Sequence, residues 1–234
     1  MDKRFEREEM LIGNEAMQRL SAARVALFGV GGVGAAAAEG LIRGGVGALD
    51  LIDNDTVSIT NINRQLCALE STVGMPKVDA MAKRLLDINP NAEITGMQLF
   101  FLPEVELDLS VYDYIVDAVD TVSAKVEIAK RARDAGVPVI SCMGTGNKLD
   151  PTMLTVTDLA KTSMCPLARV MRRELKARGI THLKVVYSTE EPRKCFVPDD
   201  NGKHPPASIS FVPTAAGFIA AGEVIRDIIG IERK

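Results

Sequence analysis

Tryptophan is absent from this chain of 234 residues, and aromatic residues of all kinds make up only 4% of it. So sparse a supply argues against an aromatic stacking platform for single-stranded nucleic acid. No two of the four cysteines (Cys67, Cys142, Cys165 and Cys195) form a CxxC pair, which removes zinc ribbons and thioredoxin-like redox motifs. Dispersed thiols in a chain of this size fit a reduced compartment better than a disulfide-stapled fold. No apolar run is long enough to span a bilayer, and residues 1–14 are charged and lack the apolar stretch of a secretory signal. The expectation is a cytoplasmic protein with no membrane partner. A net charge of −3 excludes a surface coated in positive charge, though not a local basic patch.

What is present is an ordinary α/β composition, 47% hydrophobic and 25% charged, in a chain long enough to bury a sizeable core. The pattern predicts a short helix over 15–21 and a strand over 24–28. A glycine-rich turn, Gly29-Val30-Gly31-Gly32-Val33-Gly34, then opens a helix running to Arg43, and 48–53 is a second apolar run ending in an acid. Helical spacing over 77–88 stops before Asn89-Pro90, as a helix before proline should. Strands are expected over 93–99, 114–118 and 137–142, with a helix over 123–135 between the last two. Beyond Gly146 a strand over 153–157, a helix over 166–178, a strand over 183–187, a charged and proline-rich loop over 190–206 and a helix over 211–229 complete the chain. Alternation of this kind predicts a Rossmann-like, doubly wound α/β fold with a mainly parallel sheet. We expect one domain over 1–234, its nucleotide-binding core over 1–146 and a substrate-side extension over 147–234 that completes the site.

The glycines allow backbone to approach a phosphate at a helix N-terminus. Asp53, roughly 20 residues past the last of them, can accept from ribose hydroxyls. These features alone do not separate ATP from NAD. Taken singly, Asp120 reads as an N-cap ahead of Thr121 and Ser123, and Arg64 and Lys77 read as surface charges.

The order of motifs is more specific. Gly29–Gly34 is followed by Asp53-Asn54-Asp55, by Asn61-Ile62-Asn63-Arg64-Gln65, by Gly74-Met75-Pro76-Lys77 and by Asp117-Ala118-Val119-Asp120. In this order the sequence resembles the ThiF/MoeB superfamily of enzymes that adenylate a carboxylate. The resemblance implies ATP and Mg²⁺ as cofactors, with a monovalent cation left open. It implies that Gly29, Gly31, Gly32, Gly34, Asp53, Asp55, Asn61 and Gln65 bind the nucleotide. Arg64 and Lys77 would meet charge on the triphosphate and Asp120 would hold the metal. Arg4-Phe5-Glu6-Arg7 resembles the segment from which homodimers of the superfamily send an arginine into the neighbouring site, which makes Arg7 the candidate.

Residues 144–152, 156–162 and 187–190 are similar to the branch that dehydrates threonylcarbamoyladenosine in tRNA, where ATP activates the threonyl carboxylate and the side chain cyclises. The partner implied is a tRNA anticodon loop. The alternatives are adenylation of the C-terminus of a small ubiquitin-like sulfur-carrier protein, which would bring a sulfur-transfer partner, and an NAD-dependent oxidoreductase. The absence of CxxC pairs disfavours the zinc-bearing carrier-protein branch. Arg169, Arg172, Arg173, Lys176 and Arg178 on the helix from Pro166, with Lys161 and Lys184 nearby in sequence, form a candidate RNA patch or, equally, a solvated face. Cys195 beside Arg193 and Lys194, and Cys165 at a helix start, stand where a thiolate would be favoured; Cys142 reads as core. His182 and His204 belong to no triad or metal spacing.

Overall fold

A computed structural model describes residues 2–194 and 206–231. The strands are β1 (Arg24–Phe28), β2 (Ala48–Ile52), β3 (Glu93–Met97), β4 (Tyr114–Asp117), β5 (Val139–Cys142), β6 (Leu154–Asp158) and β7 (Lys184–Ser188). They form one seven-stranded sheet in the order β3-β2-β1-β4-β5-β7-β6, parallel throughout except for β6, which pairs antiparallel with β7. β1 and β4 are apolar along nearly their whole length because helices cover both of their faces, as parallel strands require. Windings in opposite directions meet between β1 and β4, which leaves a crevice beyond the carboxyl ends of those strands.

The helices are α1 (Glu6–Ile12), α2 (Asn14–Ala22), α3 (Gly32–Arg43), α4 (Lys77–Ile88), α5 (Val122–Ala135), α6 (Pro166–Lys176) and α7 (Phe211–Ile229). Nothing in the sequence pattern announces α1. The third strand stops at Met97 instead of Leu99, so Gln98–Phe101 leaves the sheet as a loop, a difference that matters for the site. Glu190, assigned from composition to a loose surface loop, is buried, and its carboxylate accepts from the amides of Leu149 and Asp150 at 2.9–3.0 Å. Proline and charge mark that segment as irregular, but they cannot show that its first acid satisfies the two part-buried amides of Leu149 and Asp150.

α7 lies against α3 through small residues. A Cβ on Gly217 would stand 2.2 Å from the Val33 carbonyl oxygen, and one on Gly40 would stand 2.7 Å from Ala221. The end of the chain is thereby held against the helix that follows the glycine turn. Gly217→Ala should cost about 1–3 kcal/mol through overpacking against backbone, lowering the melting temperature by roughly 2–4 °C per kcal/mol. An unchanged melting temperature in a calorimetric scan would contradict this close approach.

Candidate functional site

The turn between β1 and α3 is the tightest place in the molecule. Gly29 has φ +88°, a conformation that favours glycine, and its Cα faces the Ala118–Val119 peptide so closely that a Cβ would lie 2.8 Å from the Ala118 carbonyl. A Cβ on Gly34 would lie 1.7 Å from the Gly29 oxygen. Gly31 and Gly32 face Gln65 and Arg64. Small residues here draw backbone N–H groups together at a helix N-terminus, the arrangement that receives a phosphate.

Around this turn opens a cavity of about 340 Å³, lined by Gly29, Gly31, Gly32, Asp53, Asp55, Asn61, Arg64, Gln65, Lys77 and Asp120 among others. All the site residues expected from the sequence are therefore brought together except Gly34, which is buried beneath the turn, and Arg7, which is exposed on α1 away from this chain's own cavity. Two readings of residues taken singly do not hold. Asp120 is not an N-cap: Thr121 holds that position, and the Asp120 side chain is exposed at the cavity. Lys77 is not a surface charge either. Its side chain is only 7% exposed, and its Nζ donates to Asp55 Oδ2 at 2.6 Å.

Several of these groups also support one another. Asp53 accepts from Val30 N at 2.6 Å and from Asp55 N at 2.8 Å, which ties the end of β2 to the glycine turn. Each of its oxygens keeps a second lone pair for a hydroxyl. Asn61 Oδ1 accepts from Ser58 N and caps the 3-10 turn Ile59–Asn61, which delivers Arg64 and Gln65. Arg64 donates to Thr60 O and Asn63 Oδ1 at 2.9–3.0 Å.

Sequence reasoning missed the other wall of the cavity. Leu99, Phe100 and Phe101 line it beside Phe28 and Ile52, and the Phe28 and Phe101 rings lie 4.8 Å apart. The signal is the apolar run 99–102, of which the sequence pattern assigns only Leu99, to the end of a strand, and none to a site. Thr145, Ser208 and Pro213 close the cavity from the C-terminal half. Asn147, at φ 61°, draws this rim together by exchanging hydrogen bonds with Ala207 and accepting from Arg193 N. Beneath it, Lys148 Nζ is buried and donates to the Ser188 and Glu190 carbonyls, and burial pushes its pKa down.

The donor set suits a nucleotide-borne Mg²⁺. No group of three or more His, Cys, Asp or Glu side chains gathers among the described residues as a metal cage would require. Mg²⁺ with a triphosphate needs only one or two carboxylates, because phosphates and water supply the rest.

A family model described as the ThiF family matches residues 5–234. The chain belongs to the ThiF family. It is 43% identical over 239 residues to the tRNA threonylcarbamoyladenosine dehydratase of Bacillus subtilis, covering 96% of this chain and 94% of that protein. Two crystal structures of the Escherichia coli tRNA N6-threonylcarbamoyladenosine dehydratase, each spanning 97% of this chain and 94% of theirs, superimpose closely. The complex with AMP does so with a TM-score of 0.89 at 36% identity, and the complex with ATP with 0.86 at 34%.

Within this ThiF-family fold, the three described cysteines are all buried. Burial pushes the Cys67 thiol up to about 11 and the Cys142 thiol up to about 12, so neither is a ready nucleophile. Cys165 caps α6 by accepting from Ala168 N and is 3% exposed. Cys195 and His204 lie outside the described residues. His182 is exposed beside Asp158 at 3.1 Å. No described helix is long and apolar enough to cross a membrane.

The basic face of α6 is smaller than its sequence suggests. Arg172 turns inward and donates to Thr162 O at 3.0 Å and to Thr162 Oγ1. Lys184 is held by both Asp227 oxygens at 2.6–2.8 Å, with Glu223 behind it. Arg169, Arg173, Lys176 and Arg178 remain exposed, and Arg173 and Arg178 share Glu174.

The buried thiols set a pH dependence. Their folded pKa values stand above the ordinary 9.0. The stability they contribute is complete below pH 9 and is lost as pH rises toward 11–12, because the unfolded thiols ionise first. Burial, with Asp50 and Asp227 respectively, pushes Tyr112 and Tyr114 upward in the same sense. The urea midpoint should therefore fall steadily above pH 9, and less steeply in a Cys67→Ala/Cys142→Ala variant. A flat alkaline profile in both proteins would contradict it.

Proposed function

We propose that this protein uses ATP to activate the carboxylate of a threonylcarbamoyl group on a tRNA adenosine and releases the cyclised, dehydrated nucleoside. The observation that carries this reading is the cavity itself, where a glycine cradle, two cations (Arg64 and Lys77) and three carboxylates (Asp53, Asp55 and Asp120) converge beside an apolar wall. ATP and AMP are the molecules in the complexes of the Escherichia coli relative.

The nucleotide's base would lie toward Leu99, Phe100 and Phe101, and its phosphates toward the Gly29–Gly34 turn. Asp53 accepts from the ribose. The substrate carboxylate attacks the α-phosphorus, and pyrophosphate leaves with the bonding electrons. Charge then accumulates on the phosphate oxygens, where Arg64 and Lys77 meet it. Lys77 exchanges its partner Asp55 for phosphate. Bound through Asp120 and the phosphates, Mg²⁺ would neutralise part of the same charge. In the second step an oxygen or nitrogen of the same substrate attacks the acyl carbon and AMP departs, so that one water is lost from substrate at the cost of ATP cleavage to AMP and pyrophosphate. Because the nucleophile is tethered to the acyl group, no enzyme thiol is needed, which fits three buried cysteines.

Arg169, Arg173 and Lys176 are the phosphate contacts we assign to the tRNA, and the N-terminal end of α6 lies toward the cavity rim, with Leu167 against Gly144. Two copies would complete two sites, Arg7 of each reaching toward the other, with Met10 and Leu11 at 76% and 83% exposure among the apolar side chains to be covered. Work in the cytoplasm is part of the same proposal. Adenylation of the C-terminus of a small sulfur-carrier protein is the weaker reading, since the zinc-bearing branch that does so carries CxxC pairs and this chain has none.

ATP with Mg²⁺ at about a hundred times its Kd should stabilise the fold by about 2.7 kcal/mol, and NAD at equal concentration by much less. An equal shift with NAD would defeat adenylation. Arg64→Ala, Lys77→Ala and Asp120→Ala should each lower ATP–pyrophosphate exchange by about two to three orders of magnitude. Near-normal exchange in all three would sink the site assignment. Charge reversal at Arg169, Arg173 and Lys176 should weaken tRNA binding and flatten its salt dependence while leaving ATP affinity intact. Unchanged tRNA affinity would move the RNA to another face.

A further inference from the structure

Below the cavity floor lies a polar cluster that the proposed chemistry does not use. Lys125, on the first turn of α5, is 0% exposed, and Asp117, at the end of β4, is 1% exposed. Lys125 Nζ donates to Asp117 Oδ2 at 2.9 Å and to Ser141 Oγ at 3.1 Å. Ser141 Oγ in turn donates to the same Asp117 oxygen at 2.5 Å. A buried ion pair is a poor source of stability, because desolvation offsets its attraction and apolar residues of like volume do as well or better. Its location suggests another use. The triangle joins three elements, β4, α5 and β5, at the level where the loop carrying Asp120 leaves the sheet.

That loop is bracketed on both sides of Asp120. The other Asp117 oxygen accepts from Val119 N at 3.3 Å, one residue before it. The backbone N–H of Lys125 donates to Thr121 O at 3.0 Å, one residue after it. The side chain of Lys125 is thus fixed to Asp117 and its backbone to Thr121, so both flanks of Asp120 are referred to one ion pair. The Ala118–Val119 peptide is also wedged against Gly29, so a shift in this loop would be passed to the phosphate turn. Asp120 itself has no such support, for it is exposed and its recorded hydrogen bond is with its neighbour Thr121 at 3.4 Å.

We propose that the buried Asp117–Lys125–Ser141 triangle is a positioning device that holds Asp120 at the phosphate end of the cavity and so sets the metal dependence of nucleotide binding. It rests on the reading of Asp120 as the metal carboxylate. The triangle touches neither nucleotide nor metal. A carboxylate held by its flanks rather than by its own bonds keeps both oxygens for a ligand, and errors of about 0.5 Å in such a group are felt in the chemistry.

The test is calorimetric titration of ATP, with and without Mg²⁺, into wild type, Lys125→Met, Lys125→Arg and Ser141→Ala. Wild type should bind ATP more tightly with Mg²⁺. Failure to bind ATP at all would overturn the nucleotide reading, whatever the variants do. Lys125→Met should keep metal-free ATP affinity within about threefold and lose about tenfold of the Mg²⁺ enhancement, which Lys125→Arg restores. A purely structural ion pair would leave the enhancement unchanged in every folded variant, and that result overturns the proposal. If Lys125→Met fails to fold, Ser141→Ala decides. A weakened Mg²⁺ enhancement at near-normal melting temperature supports the triangle, and a wild-type enhancement rejects it.

Discussion

The rest of the structure depends on a contact between two stretches of backbone. Gly29 at the end of β1 meets the Ala118–Val119 peptide at the end of β4, and Gly34 meets the Gly29 carbonyl from the first turn of α3. Both approaches are closer than any Cβ would allow. They bring the phosphate turn and the loop bearing Asp120 together at the point where the sheet's winding reverses. Asp53 adds a third element by bonding Val30 N, so the ends of β1, β2 and β4 form one rigid floor. Everything charged in the cavity is placed relative to that floor. α7 braces it from behind, its Gly217 seated on Val33.

On this floor the mobile charges are kept in check before any nucleotide arrives. Lys77 is paired with Asp55, and Arg64 is folded onto its own turn. A buried ammonium with no partner would be costly, and Asp55 supplies that partner. That pairing is of modest strength, because Asp55 itself is 57% exposed. The rim from the C-terminal half closes the cavity, where Thr145 and Ser208 face it and Asn147 joins its two strands of loop.

Much of this was legible because its causes are local. Glycine spacing, apolar runs of four or five residues and helix-ending proline or glycine each report a local backbone requirement, and they located every strand to within a few residues. The parallel sheet followed from the alternation of strands and helices, and the gathering of Arg64, Gln65, Lys77 and Asp120 from the family resemblance that the order of motifs carries. Pairings between distant residues were not legible. Nothing local says that Glu190 serves the amides at 149 and 150, that Lys184 is taken by Asp227, or that Arg172 turns inward to Thr162. Of the three, Glu190 is buried and Arg172 part-buried, while Lys184 stays near the surface with its charge already paired. The apolar wall at Leu99–Phe101 escaped for a different reason. An apolar run cannot by itself show whether it ends inside a sheet or beside a ligand.

The central claim is that ATP cleavage here removes water from a modified adenosine in RNA. Its most direct test is mass spectrometry of the nucleosides from threonylcarbamoyl-bearing tRNA incubated with the protein, ATP and Mg²⁺. The account predicts a nucleoside lighter by one water, with one AMP and one pyrophosphate formed for each, and no change when ATP is withheld. An unaltered nucleoside, with AMP instead appearing on the C-terminus of a small carrier protein supplied alongside, would contradict it.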